Sequence, residues 1–92
     1  MKLEFDPDKE AANRAKHGVS LGFASRLLAD PARVDVLDVR FDYGEDRFVT
    51  YGEVDGRIWV CVHVPRGVSR RIISVRKANE REIERYHQAK RA

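Results

Sequence analysis

The chain is poor in cysteine, with one, and in proline, with three, and it has no long apolar run. Cys61 has no second cysteine with which to close a disulfide, and its neighbours Val60 and Val62 mark it as a buried, reduced core thiol. The longest apolar run, which ends at Val62, falls far short of the roughly 20 residues that a membrane span needs. No charged-then-apolar leader opens the sequence, so a cytoplasmic protein without membrane contact is expected. Gly-rich phosphate loops of the forms G-x-x-x-x-G-K-S/T and G-x-G-x-x-G do not occur. Ser20, Ser25, Ser69 and Ser74 lie outside any nucleophile-elbow pattern. His17, His63, His87 and Cys61 lack the paired spacings of a structural zinc site, and neither a metal nor a cofactor is expected. His63 and Cys61 read as core residues, and His87 as a solvated helix residue.

What the chain does have is charge. Of its 92 residues 36% are charged, in a length that suits one domain spanning residues 1–92. The net charge of +3 hides an asymmetry: residues 1–48 carry 8 basic and 10 acidic side chains, residues 49–92 carry 10 and 5. A basic second half fits an anionic partner, with nucleic acid first.

Asp6-Pro7 is a helix start, an N-cap carboxylate followed by a proline at the first helical position, and Gly18 supplies a left-handed end near His17. Ala11, Ala12 and Ala15 are expected to form a small-residue packing stripe. Ser20 caps a second predicted helix with Leu21, Phe23, Ala24, Leu27 and Leu28 on its apolar face, stopped at Asp30-Pro31. Four β-rich runs follow, Arg33 to Phe41, Arg47 to Val54, Arg57 to Val64 and Arg70 to Lys77, joined at Tyr43-Gly44-Glu45, Asp55-Gly56 and Pro65-Arg66-Gly67. Such short connections favour antiparallel pairing. The third run reads as central, with Ile58, Val60, Val62 and Val64 on one face and Trp59, Cys61 and His63 on the other. The fourth alternates less cleanly, with Arg71, Ile73 and Val75 pointing one way and Arg70, Ile72, Ser74 and Arg76 the other. Asn79 and Glu82 form a capping box that opens a last helix, docked by Ile83 and Tyr86. The fold class is therefore α+β: two N-terminal helices, a four-stranded antiparallel meander with a possible extra edge strand at Leu3 to Phe5, and a C-terminal helix.

Arg, Lys, His, Glu and Tyr side chains on such a scaffold suit metal-independent RNA cleavage. The 2′-hydroxyl attacks the adjacent phosphorus, so the site needs a base, an acid for the leaving 5′-oxygen, and cations on the phosphoryl group. Each proton transfer contributes about 10²- to 10⁴-fold. Arginine grips two phosphate oxygens at once, and fixed cations stabilise the charge of the transition state. DNA lacks the nucleophile.

Phe5-Asp6-Pro7 through Lys16-His17-Gly18-Val19-Ser20, then Gly44-Glu45-Asp46-Arg47, Gly52, and Arg71-Ile72-Ile73-Ser74-Val75-Arg76-Lys77-Ala78 with Glu82 and Tyr86, resemble the BrnT family of type II toxin-antitoxin toxins. The resemblance runs along nearly the whole chain. It departs where the family commonly has Trp for Phe5 and Ala for Val75, and where Arg40-Phe41-Asp42-Tyr43 lacks a family histidine. It implies a RelE-like fold, an endoribonuclease that inhibits translation, and a BrnA-like antitoxin partner in a hetero-oligomer that contacts DNA only through the antitoxin.

On this reading His17 and Glu45 handle protons, while Arg47 and Arg76 hold the scissile phosphate. Lys16, Arg70, Arg71 and Tyr86 contact RNA. Plainer structural roles exist: Lys16 and His17 complement a helix C-terminus, Glu45 and Arg47 make a surface ion pair, and Tyr86 docks the last helix. The rival functional reading is a non-catalytic RNA-binding or protein-interaction module. A DNA-binding repressor is disfavoured, because no helix-turn-helix signature occurs.

Overall fold

The computed structural model describes residues 2–39 and 44–92. Along the chain run strand β1 (Lys2–Phe5), helix α1 (Pro7–His17), a 3₁₀ turn (Leu21–Phe23), helix α2 (Ala24–Leu27), strands β2 (Val34–Leu37), β3 (Phe48–Val54), β4 (Arg57–Arg66) and β5 (Ser69–Lys77), and helix α3 (Glu80–Arg91).

Most element ends follow from local chemistry. Asp6 accepts from the Asp8 amide at 2.8 Å to start α1, and Gly18 ends it at φ 75° with its N–H on the Arg14 carbonyl. Asp55 and Gly56 both take positive φ, 51° and 79°, the geometry of the tight hairpin turn that joins β3 to β4. The Asn79–Glu82 capping box is complete, each side chain bonded to the other's backbone amide.

The expected meander of β2 to β5 is present, but the sheet has five strands in the order β1-β5-β4-β3-β2. β1 joins in parallel, with Lys2 opposite Ser69 and Phe5 opposite Ile72. Parallel pairing needs a long connection, and the whole chain between β1 and β5 supplies it. β2 is shorter than the run expected to reach Phe41; Arg40, Phe41 and Tyr43 lie outside the described residues. β4 continues through Pro65 and Arg66, so the turn into β5 falls on Gly67 and Val68 instead.

The second expected helix is reduced to the 3₁₀ turn and one turn of α-helix. Ser20 does cap it, accepting from the Gly22 amide at 3.1 Å. The chain must then turn at once so that Asp30 can accept from the amides of Ala32 and Glu53. The Leu27 carbonyl lies against Gly52 of β3; a Cβ at Gly52 would sit 3.0 Å from the Leu27 carbonyl carbon. Only glycine admits that approach.

The alanine stripe of α1 is not its packing face: Ala11, Ala12 and Ala15 are exposed and the buried residue is Asn13. Its side-chain amide accepts from Val75 N–H at 3.0 Å and donates to the Val75 carbonyl at 2.9 Å, taking the place of a strand where β1 has ended. Glu10 adds bonds from Ser20 Oγ and the Leu21 amide, both 2.7 Å. The α1 attachment is thus polar, which no apolar stripe could signal.

β4 is central and covered on both faces. Trp59 and Cys61 join Leu21, Ala24, Leu27, Leu28, Ile72 and Val75 under α2, whereas Ile58 and Val60 join Tyr51 and Tyr86 under α3. Burial pushes the Cys61 thiol up to about 12, as suits a reduced core residue. In β5 strict alternation fails. Ile72 and Val75, three apart, share the α2-side core, because a bulge between Val62 and His63 leaves Ile73 unpaired.

Candidate functional site

The bulge separates two arginines that alternation had placed together. Arg70 falls on the α2 face with Ile72; Arg76 falls on the α3 face with Glu82. Each face carries a cleft.

On the α2 face, Leu28, Arg33, Asp35, Phe48, His63 and Arg70 line a small cleft of about 80 Å³. β4 carries His63 there and β3 carries Thr50 beside it; His63 is only 4% exposed. Thr50 Oγ1 lies 2.7 Å from His63 Nε2 and donates to Asp35 Oδ1 at 2.5 Å. A hydroxyl has one proton, and here it goes to the carboxylate, so Nε2 must be the protonated nitrogen that donates to Thr50. Nδ1 therefore carries the lone pair, and it is buried without a partner. The same holds for Arg70 Nη1. The Arg70 guanidinium lies 5.6 Å over the Phe48 ring, and Phe48 stacks on His63 at 6.0 Å. Arg33 pairs with Asp35 at 3.3 Å. Burial first, then the charge of Arg70, push the His63 pKa down to about 4, with Asp35 opposing and Arg33 assisting.

On the α3 face, Val49, Tyr51, Val62, Arg76, Glu82 and Arg85 line a groove of about 420 Å³ beside β2. Its polar groups are already engaged. Arg76 forks onto both Glu82 oxygens at 2.8 Å, and Arg85 donates to the Tyr51 hydroxyl at 3.3 Å. The Arg76 contact holds Glu82 below the ordinary carboxylate range and raises Arg76 in turn, against burial in both.

The sequence-derived candidates do not converge on one place. Tyr86 is fully buried and donates to Asp30 Oδ2 at 2.6 Å, so it docks α3. Burial, then the Asp30 carboxylate, raise its pKa. Glu45 pairs with Arg66, at 3.4 Å, in place of the expected Arg47. Residues 44–47 precede β3, so strand alternation does not govern them; the Arg47 carbonyl accepts from the Asp38 amide. Arg71 is half-buried, opposite Glu4 and Val64 in the ladder. Lys16 and His17 end α1, which starts beside Ile72 and has reached Val75 by Asn13, and so runs away from Arg70. Sequence reasoning left out Arg33, Asp35, Phe48, Thr50 and Arg85, and set His63 aside as core. The available signal was a histidine and a threonine on the same face of adjacent predicted strands. Among the described residues, no three His, Cys, Asp or Glu side chains gather as a metal site would require.

A family model for the ribonuclease toxin BrnT of type II toxin-antitoxin systems matches residues 5–82. The chain belongs to the BrnT family. The match runs from the last residue of β1 into the first turn of α3, and includes every residue named on the α2-face cleft. BrnT membership places the chain among toxins that act on RNA and are paired with a protein antitoxin. No curated protein matches the chain. No helix among the described residues is long and apolar enough to cross a membrane.

Proposed function

We propose that this BrnT-family chain is a metal-independent endoribonuclease that cuts RNA on the α2 face of its sheet. Attack by the 2′-hydroxyl would yield a 2′,3′-cyclic phosphate and a 5′-hydroxyl, inhibit translation, and be blocked by a BrnA-like antitoxin. The observation that carries the reading is the pair Arg33 and Arg70 beside the Phe48 ring in one cleft. Two guanidiniums suit a phosphodiester, and a ring face suits an unstacked base. Fixed cations lower the barrier most where charge develops on the phosphoryl oxygens.

Arg76 is given a different part from the one its sequence position suggests. With its fork on Glu82, it fixes the start of α3. Lys16 and His17 at the end of α1, and Tyr86 in the core, stand apart from the cleft. Arg47 precedes Phe48 on the chain and is assigned to the RNA backbone outside the cleft, while Glu45 holds Arg66.

Purified protein incubated with single-stranded RNA in excess EDTA is expected to produce cyclic-phosphate ends. RNA that stays intact in EDTA but is cut when a divalent metal is restored would remove metal independence. RNA that is bound yet never cut would favour the binding-module reading.

A further inference from the structure

We propose that His63 is the proton acceptor of RNA cleavage, with Thr50 and Asp35 as the residues that position it. The inference rests on the ribonuclease reading and adds to it a named base and the group that base recognises. Three features of the cleft point the same way. The Asp35–Thr50–His63 chain commits Nε2–H to Thr50, which fixes the tautomer and leaves the Nδ1 lone pair available. Nδ1 is a buried acceptor and Arg70 Nη1 a buried donor, both without a partner, on residues that line one cleft. A hydroxyl is the group that answers both, donating to Nδ1 and accepting from Nη1. In RNA that hydroxyl lies next to a phosphate, and Arg33 and Arg70 supply the cations for it.

The step balances without any other cofactor. The 2′-hydroxyl proton passes to His63 Nδ1 as O2′ bonds to phosphorus. The P–O5′ bond breaks, and the leaving 5′-oxygen takes a proton from water. His63 then returns its proton to solvent, and the ring is again neutral.

The groups that face the imidazole are Arg33 and Asp35 from the β2 segment, Thr50 and Phe48 from β3, Arg70 from β5, and the apolar Leu28 following α2. Burial first, and then the charges of Arg70 and Arg33, keep free His63 neutral across the physiological range. An anionic phosphate between them opposes that effect, so bound substrate makes the imidazole a stronger base at the moment it is needed.

The test combines kinetics with the state of the ring in the whole chain. His63→Gln is expected to remain folded and to bind RNA within about threefold of wild type, while cleaving at least about 100-fold more slowly. A folded His63→Gln that cleaves at the wild-type rate overturns the assignment of His63 and leaves the ribonuclease reading standing. A wild-type protein that cleaves no RNA overturns both. Should the variant fail to fold, nitrogen NMR of the wild-type imidazole decides. Nδ1 is expected to be unprotonated at neutral pH, and to shift on addition of the four nucleoside 3′-monophosphates, which keep the 2′-hydroxyl and phosphate but lack a leaving group. Their 2′-deoxy counterparts are expected to produce little shift. Equal responses to the two sets mean that the 2′-hydroxyl is not recognised, and none to either means that the cleft holds only solvent; both contradict the proposal. Thr50→Val is expected to mix the two ring tautomers in the same spectrum, which loss of packing alone would not do.

Discussion

The two clefts of the sheet hold their buried polar atoms differently. Under α3, Arg76 is closed onto Glu82, Arg85 onto Tyr51, and Tyr86 onto Asp30. Under α2, Arg70 Nη1 and His63 Nδ1 are buried with no partner. Leaving a buried polar atom unpaired costs about 1 to 3 kcal/mol, a cost that a fold built only for stability would avoid. The comparison teaches that abundance of arginine does not locate a site here. What distinguishes Arg70 is a buried Nη1 with no acceptor, where Arg76 already holds Glu82.

Substitutions on the two faces should therefore differ in kind. Arg70→Ala is expected to lower the cleavage rate by about 10²- to 10³-fold, as loss of one preorganised donor does, with the melting temperature nearly unchanged. A large drop in melting temperature with normal turnover per folded molecule would erase the contrast. Tyr86→Phe removes a hydroxyl bonded to a carboxylate and is expected to destabilise the fold by about 1.5 to 3 kcal/mol in urea titrations, without changing the cleavage rate of folded protein. Arg76→Ala should act the same way but less, by about 1 kcal/mol, since the pair is partly exposed. If Arg76→Ala instead abolishes cleavage in a folded protein, the α3 groove is the reaction site.

A separate effect is one of pH. His63 has its pKa depressed in the fold, from about 6.5 in an unfolded chain to about 4. The unfolded state then binds more protons between these values, so stability should be complete above about 6.5 and decline as pH falls towards about 4. Asp30 and Glu82, also held below their ordinary range, should add their loss at lower pH still. His63→Gln should remove the early part of this decline and spare the later part; melting temperature against pH reads both.

How far the sequence revealed these features depended on their range. Asp6-Pro7, Gly18, Asp55-Gly56 and the Asn79–Glu82 box act over a few residues, and each was legible. The central place of β4 was legible too, because its two apolar faces are written into one strand. The bulge at Ile73 was not, since it arises from how β5 meets β4, and it reversed the side on which Arg70 stands relative to Arg76. Asn13 acting as a strand partner for Val75, 62 residues away, leaves no periodic trace. The Asp35–Thr50–His63 chain is assembled by strand register, Asp35 opposite Thr50 in one ladder and Phe48 opposite His63 in the next. Alternation alone assigned His63 a face and made it look like filling for the core.

The central claim is that RNA is held on the α2 face. The most direct measurement is a two-dimensional amide NMR titration with the nucleoside 3′-monophosphates, which keep the 2′-hydroxyl and phosphate but lack a leaving group. Largest shifts at Phe48, Thr50, His63 and Arg70, with Tyr51, Arg76, Glu82 and Arg85 little moved, are the predicted result; largest shifts at those α3-face residues would contradict it.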